Sequence, residues 1–142
     1  MLKHITAQIG DELPQVVFGP VDRTMLALYA GASRDHNPIH IDIDYARNAG
    51  RPDVFAHGML SMAQIGRVVT NWAGLGNLRE FSTRFTAVTP VGALVTCRGR
   101  VVARLEQKGE PLLKIELSAT IDDGTVTLIG DALVSIGEAC GR

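Results

Sequence analysis

Cysteine is scarce in this chain: only Cys97 and Cys140 occur among 142 residues, and no CxxC pair is present. A disulfide framework is thereby excluded, and both thiols are expected to be buried or idle in a reducing cytoplasm. Charge of one sign is lacking too. The net charge is −1 with a pI near 6.4, and the 14 lysines and arginines are scattered, which leaves no electrostatic footprint for nucleic acid. Long apolar runs are missing: the uncharged segments 54–66 and 85–97 fall short of the ~20 residues that a membrane span needs. The opening MLKHITAQIGDELP carries Lys3, His4, Asp11 and Glu12 without an apolar core of signal-peptide length, so a cytoplasmic protein is expected. There is no HExxH zinc motif, and GLGN at 74–77 is not a GxGxxG loop, so neither a metal nor a nicotinamide cofactor is expected.

No repeat, low-complexity tract or linker divides the chain, which predicts one domain over residues 1–142. Hydrophobic residues make up 46% against 20% charged, too apolar for disorder. A globule of this length buries roughly 70% of its unfolded surface, so a core can form.

The two halves differ in periodicity. In the first, Asp22 is a plausible N-cap, and Met25, Leu28, Tyr29 and Ala32 follow at i, i+3, i+4 and i+7, the stripe of an amphipathic helix. A short second helix is expected from about Asp42 to a stop at Gly50. A third, GMLSMAQIGRVVTNWAG at 58–74, is apolar on nearly every face with Arg67 its one charge, the pattern of a helix buried on most sides. From Glu80 the pattern turns strand-like, with Phe81, Thr83, Phe85 and Ala87 alternating. Three more β-rich runs follow at 93–105, 111–121 and 125–136, joined by EQKGE and DDG, and 13–18 supplies a possible extra strand. One greasy helix and an antiparallel meander of about five strands satisfy burial only if the sheet curls around the helix, an α+β hot-dog architecture. Such a sheet leaves an edge strand open, which edge-to-edge dimerisation would cover.

The densest chemistry lies in SRDHNPIHID at 33–42. Asp35 and His40 are five apart and cannot share a face of an uninterrupted helix. Pro38 pushes Asn37 toward extended geometry, so the first helix should end here and the chain should turn. Three readings follow: Asp35 and Asn37 merely cap and turn the chain; His36 and His40 form an HxxxH metal pair, whose common face Pro38 spoils; or carboxylate and imidazole share one water for acid–base work. VFAHGMLSM at 54–62 puts His57 and Gly58 directly before the buried helix, whose free amides and positive dipole end suit developing negative charge. Gly58 either allows the close backbone approach an oxyanion hole requires or only packs the helix against a strand.

YAGASRDHNPIHID from Tyr29, AHGMLSM from Ala56 and RFTAVTPV from Arg84 together resemble the MaoC-like family of (R)-specific enoyl-thioester hydratases and 3-hydroxyacyl-thioester dehydratases. Size and motif spacing are similar to the catalytic B-type subunits of actinobacterial fatty-acid dehydratases. The resemblance implies a hot-dog fold, Asp35 and His40 as catalytic pair, and reversible hydration of an enoyl thioester of CoA or acyl-carrier protein without a cofactor. It further implies the Gly58 amide as donor to the thioester oxygen, and Asn37, His57 and Ser61 as binding or orienting residues. A homodimer, or a heterodimer with a related hot-dog subunit, is the expected assembly. Two positions depart from the family pattern. Glycine is common before the aspartate and Arg34 stands there, a residue that a positive φ would strain and that otherwise can reach a carrier phosphate. Some members brace the aspartate with a serine two turns into the central helix; that place is Gly66, and Ser61 one turn earlier is the nearest substitute. The rival functions are a non-catalytic acyl-binding subunit and a hot-dog thioesterase, because one fold hosts both chemistries.

Overall fold

A computed structural model describes residues 2–137. Three helices, α1 (Arg23–Ser33), α2 (Ile43–Asn48) and α3 (Gly58–Ala73), accompany five strands: β1 (Val16–Phe18), β2 (Leu78–Phe85), β3 (Val95–Gln107), β4 (Glu110–Ile121) and β5 (Val126–Ser135). All strand pairings are antiparallel, in the order β1-β3-β4-β5-β2. Curled around α3, this sheet is the hot-dog fold.

The meander's turns follow from local chemistry. Lys108 and Gly109 both have positive φ, 51° and 80°, the combination a two-residue hairpin turn with right-handed strand twist requires, and Gln107 pairs with Glu110 across it. Register slips between Val101 and Ala103 and between Ala119 and Thr120 bend the strands, as bulges do. Along β3 the residues Val95, Cys97, Gly99 and Val101 point inward and are buried. Gly99 sets the helix-to-sheet distance: a Cβ there would stand 3.1 Å from both Val68 of α3 and Leu117 of β4.

Helix α3 is buried through Leu60, Ser61, Ile65, Val68, Val69 and Ala73. It nevertheless keeps a narrow exposed stripe at Met59, Ala63, Arg67 and Asn71, four residues apart, where the sheet does not reach. Asp22 caps α1 by accepting from the Met25 amide at 2.7 Å, but the buried face of α1 runs through Leu26 and Ala30, with Met25 and Tyr29 half-buried beside them. Leu28, expected in the stripe, is 71% exposed, and Ala32 is exposed too. The run MLALYAGA is apolar in more than one helical phase, so docking chose the face that periodicity left open. Asp42 caps α2 through the Asp44 and Tyr45 amides, and Gly50, at φ 82°, ends the turn that follows.

The N-terminal segment runs along the outer edge of β3: Gly10 donates to Val101, Leu13 donates to Gly99, and Val16–Phe18 completes the pairing. Among the described residues the opposite edge, β2, has a strand neighbour on one side only. Cys97 is buried, and burial pushes its thiol up to about 11; Cys140 lies outside the described residues. Among the described residues no helix is long and apolar enough to cross a membrane.

Candidate active site

Helix α1 ends on Arg34 in the left-handed region (φ 62°, ψ 17°), and this reversal starts the turn that presents Asp35. Arginine carries the strain that its position made conceivable. Short side-chain-to-backbone bonds then fix the loop. Ser33 Oγ accepts from the Asp35 amide at 3.2 Å, Asp35 Oδ1 accepts from the Asn37 amide at 3.2 Å, and Asn37 Oδ1 accepts from the Ile39 amide at 3.1 Å. Pro38 opens a single 3-10 turn, Pro38–His40, that carries His40 round to the interior. Asn37 thus supports Asp35 with its backbone N–H, while its side chain caps the turn.

His40 is buried, and its Nδ1 lies 2.7 Å from the Phe55 carbonyl oxygen. A carbonyl only accepts, so Nδ1 carries the proton and Nε2 holds the lone pair in the neutral ring. His57 is only 1% exposed; its Nε2–H donates to the Asp35 carbonyl oxygen at 3.1 Å and its ring stacks on His40 at 4.0 Å between centroids. Tyr29 meets the His57 ring edge-on at 4.9 Å between centroids. Burial holds His57 below its ordinary 6.5, and nearby His40 adds to this, against the opposing pull of the Asp35 carbonyl bond and carboxylate. Burial and the Asp35 carboxylate push the Tyr29 hydroxyl up.

One donor atom each from Asp35, His40 and His57 lie within 4.8 Å of one another. Each imidazole already has one nitrogen committed to a carbonyl. Each neutral ring keeps one lone-pair nitrogen, and a carboxylate gathered with such imidazoles suits proton transfer. His36 is exposed and outside this group.

A cleft of about 450 Å³ opens beside the pair, walled by Asp35, Phe55, Gly58, Ser61, Phe85 and Thr89 among others. The N-terminus of α3 enters it without a side-chain cap, since His57 makes no capping bond. Gly58 is also needed for packing: a Cβ there would meet the Phe85 ring at 2.8 Å. Gly66 faces elsewhere, toward Phe81 of β2, whose ring a Cβ would meet at 3.6 Å. Among the described residues Ser61 Oγ is buried without a hydrogen-bond partner, so it does not brace Asp35 as a substitute for the family serine. The brace is local instead, made by the Asn37 amide.

Sequence reasoning missed the Phe55 carbonyl, the Tyr29 edge and the Phe85 and Thr89 walls. Phe85 and Thr89 lie within the noted RFTAVTPV segment and Tyr29 opens YAGASRDHNPIHID, so these side chains had a signal; a backbone carbonyl leaves none.

A family model described as MaoC like domain matches residues 4–120 of the chain. The chain is 30% identical over 118 residues to an (R)-specific enoyl-CoA hydratase of Rhodospirillum rubrum, covering 82% of this chain and 80% of that protein. It is 36% identical over 88 residues to fatty acid synthase subunit beta of Aspergillus oryzae, matching 54% of this chain but only 4% of that much longer protein. Among solved structures, the ChsH1-ChsH2 complex from Mycobacterium tuberculosis contains a chain that superposes with a TM-score of 0.79 at 23% identity, covering 93% of this chain and 100% of that one, a likeness of fold.

Proposed function

The chain belongs to the MaoC-like domain family, and on that premise we propose that it is a hydro-lyase adding water reversibly across C2 and C3 of trans-2-enoyl thioesters to give (R)-3-hydroxyacyl thioesters. The observation that carries this is the gathering of the Asp35 carboxylate with the His40 and His57 imidazoles, within 4.8 Å of one another, beside a mostly apolar cleft that Asp35 lines. Asp35 and His40 hold one water between them. As its oxygen bonds to C3, the pair takes up one of its protons and C2 receives a proton on the same face. Between these events the thioester oxygen has enolate character, and the uncapped Gly58 amide donates to it. His57 and Asn37 hold the loop so that carboxylate and imidazole stay aimed at one point.

The substrate is a thioester of CoA or of acyl-carrier protein. A second subunit, identical or a related hot-dog chain, covers the open edge of β2; the half-exposed Phe85 and Met59 at the cleft mouth favour such a cover. The heteromeric neighbour is compatible with either composition.

The purified chain, alone and with candidate partner subunits, is assayed for loss of enoyl absorbance with crotonyl-CoA and longer homologues. Asp35→Asn and His40→Ala are expected to lower the rate by about 10²–10⁴-fold. Inertness of the wild type across chain lengths, or release of free thiol instead of hydration, overturns the proposal.

A further inference from the structure

The Ser61 hydroxyl has so far no task. The residue is 2% exposed and its Oγ has no partner among the described residues, not even the helix carbonyl one turn back that serine often uses. Buried hydroxyls are nearly always paired, so an unpaired one at a cleft wall points to a ligand atom. Its direction follows from helix geometry: Cα–Cβ bonds tilt toward the N-terminus, so the fourth residue of α3 leans back over the first turn. That turn holds the uncapped Gly58 amide, and Ser61, Gly58 and Asp35 line the same cleft. The other unpaired buried atom, His57 Nδ1, is an acceptor and offers nothing to a developing anion. Ser61 is a neutral donor held among apolar walls, where donation to an anion is stronger than in water.

We propose that Ser61 Oγ–H is the second donor to the thioester oxygen, beside Gly58 N–H, an assignment that rests on the hydro-lyase reading for the identity of that oxygen. As the water oxygen bonds to C3, the C2=C3 π electrons move into C1–C2 and the carbonyl pair moves onto oxygen. Ser61 and Gly58 donate hydrogen bonds to that oxygen and keep their protons. Protonation at C2 then restores the carbonyl.

The test uses Ser61→Ala and Ser61→Thr with two readouts. One is hydration of crotonyl-CoA. The other is the enolate fraction of bound acetoacetyl-CoA, read by its ultraviolet band, with butyryl-CoA affinity as the reference for binding without an anion. Ser61→Ala is expected to lower kcat by about 10²-fold with KM nearly unchanged. It should deplete the bound enolate by at least tenfold on the same physical ground, leave butyryl-CoA affinity and melting temperature intact, and be rescued in large part by Ser61→Thr. Wild-type enolate binding in Ser61→Ala overturns the assignment, as does a loss that follows a lowered melting temperature and is not rescued by threonine. A wild type that hydrates no enoyl thioester while Ser61→Ala still loses the enolate refutes the hydration reading and upholds the donor.

Discussion

Replacing Gly58 with alanine separates the two tasks the structure gives this residue. The new Cβ would stand 2.8, 3.0 and 3.1 Å from three atoms of the Phe85 ring, where comfortable carbon contacts are about 3.5–4.0 Å. The ring must retreat by roughly 0.7–1.2 Å to restore that spacing. Phe85 is the last residue of β2 and 50% exposed, so it can swing outward. The cost belongs at the low end of the overpacking range, about 1 kcal/mol. Alanine's better helix propensity offsets a few tenths of this, since the first helical position gains less than the interior ~1 kcal/mol. The net loss, below about 1 kcal/mol, corresponds to a fall in Tm of no more than about 4 °C for a chain of this size. Activity should suffer far more, because Gly58 lines the cleft and the added methyl takes space beside the amide proposed to meet the substrate oxygen: a fall in kcat of about 10²–10³-fold is expected. Thermal melts and steady-state hydration of crotonyl-CoA measure the two effects, and Phe85→Ala should erase the stability cost of Gly58→Ala while leaving the catalytic loss. Wild-type kcat in Gly58→Ala would refute the amide's contact with substrate. A stability cost that persists without the Phe85 ring would refute the packing argument.

Three further outcomes are expected. Because burial holds His57 below its ordinary 6.5, the unfolded chain takes up a proton that the folded chain refuses once the pH falls below that value. The stability from His57 is therefore complete above pH 6.5 and declines on acidification; denaturant midpoints followed from about pH 7.5 to about pH 5 should fall more steeply in the wild type than in His57→Gln, and equal slopes refute this. Arg34→Gly relieves a left-handed residue worth about 1–2 kcal/mol at the cost of about 0.5–1 kcal/mol of unfolded-chain freedom, so its melting point should match or exceed the wild type, and a lower one contradicts the strain. In Gly130→Ala the added Cβ would run into the Ser82 carbonyl oxygen and stand 3.1 Å from Thr83 Cα, prising β2 from β5. A loss of about 3 kcal/mol or more is expected, and a wild-type melt would show that β2 is less tightly held than its register implies.

The elements were legible where a single physical cause dominates. Asp22 as a cap, the short helix from about Asp42 to its stop at Gly50 and the hairpin connection in EQKGE are local chemistry, decided within a few residues. The greasy run of α3 and the alternation of β3 announce a helix under a sheet for the same reason, since burial periodicity is written in the chain. The phase of α1 was not legible, because an apolar run such as MLALYAGA satisfies more than one face and only docking selects Leu26 and Ala30.

The candidate site divides in the same way. By itself the sequence determined that Asp35 and His40 flank a proline bend and that His57-Gly58 open an apolar helix, because residue type and spacing limit what a short segment can do. Only the tertiary structure decided that His40 Nδ1–H donates to the Phe55 carbonyl, that His57 stacks on it while gripping the Asp35 backbone, and that Ser61 is left at the cleft wall with no partner among the described residues. These depend on where segments distant in the chain meet, and the partners involved are carbonyls and ring faces, which every residue or any aromatic can supply and which therefore leave no mark in the order of the amino acids.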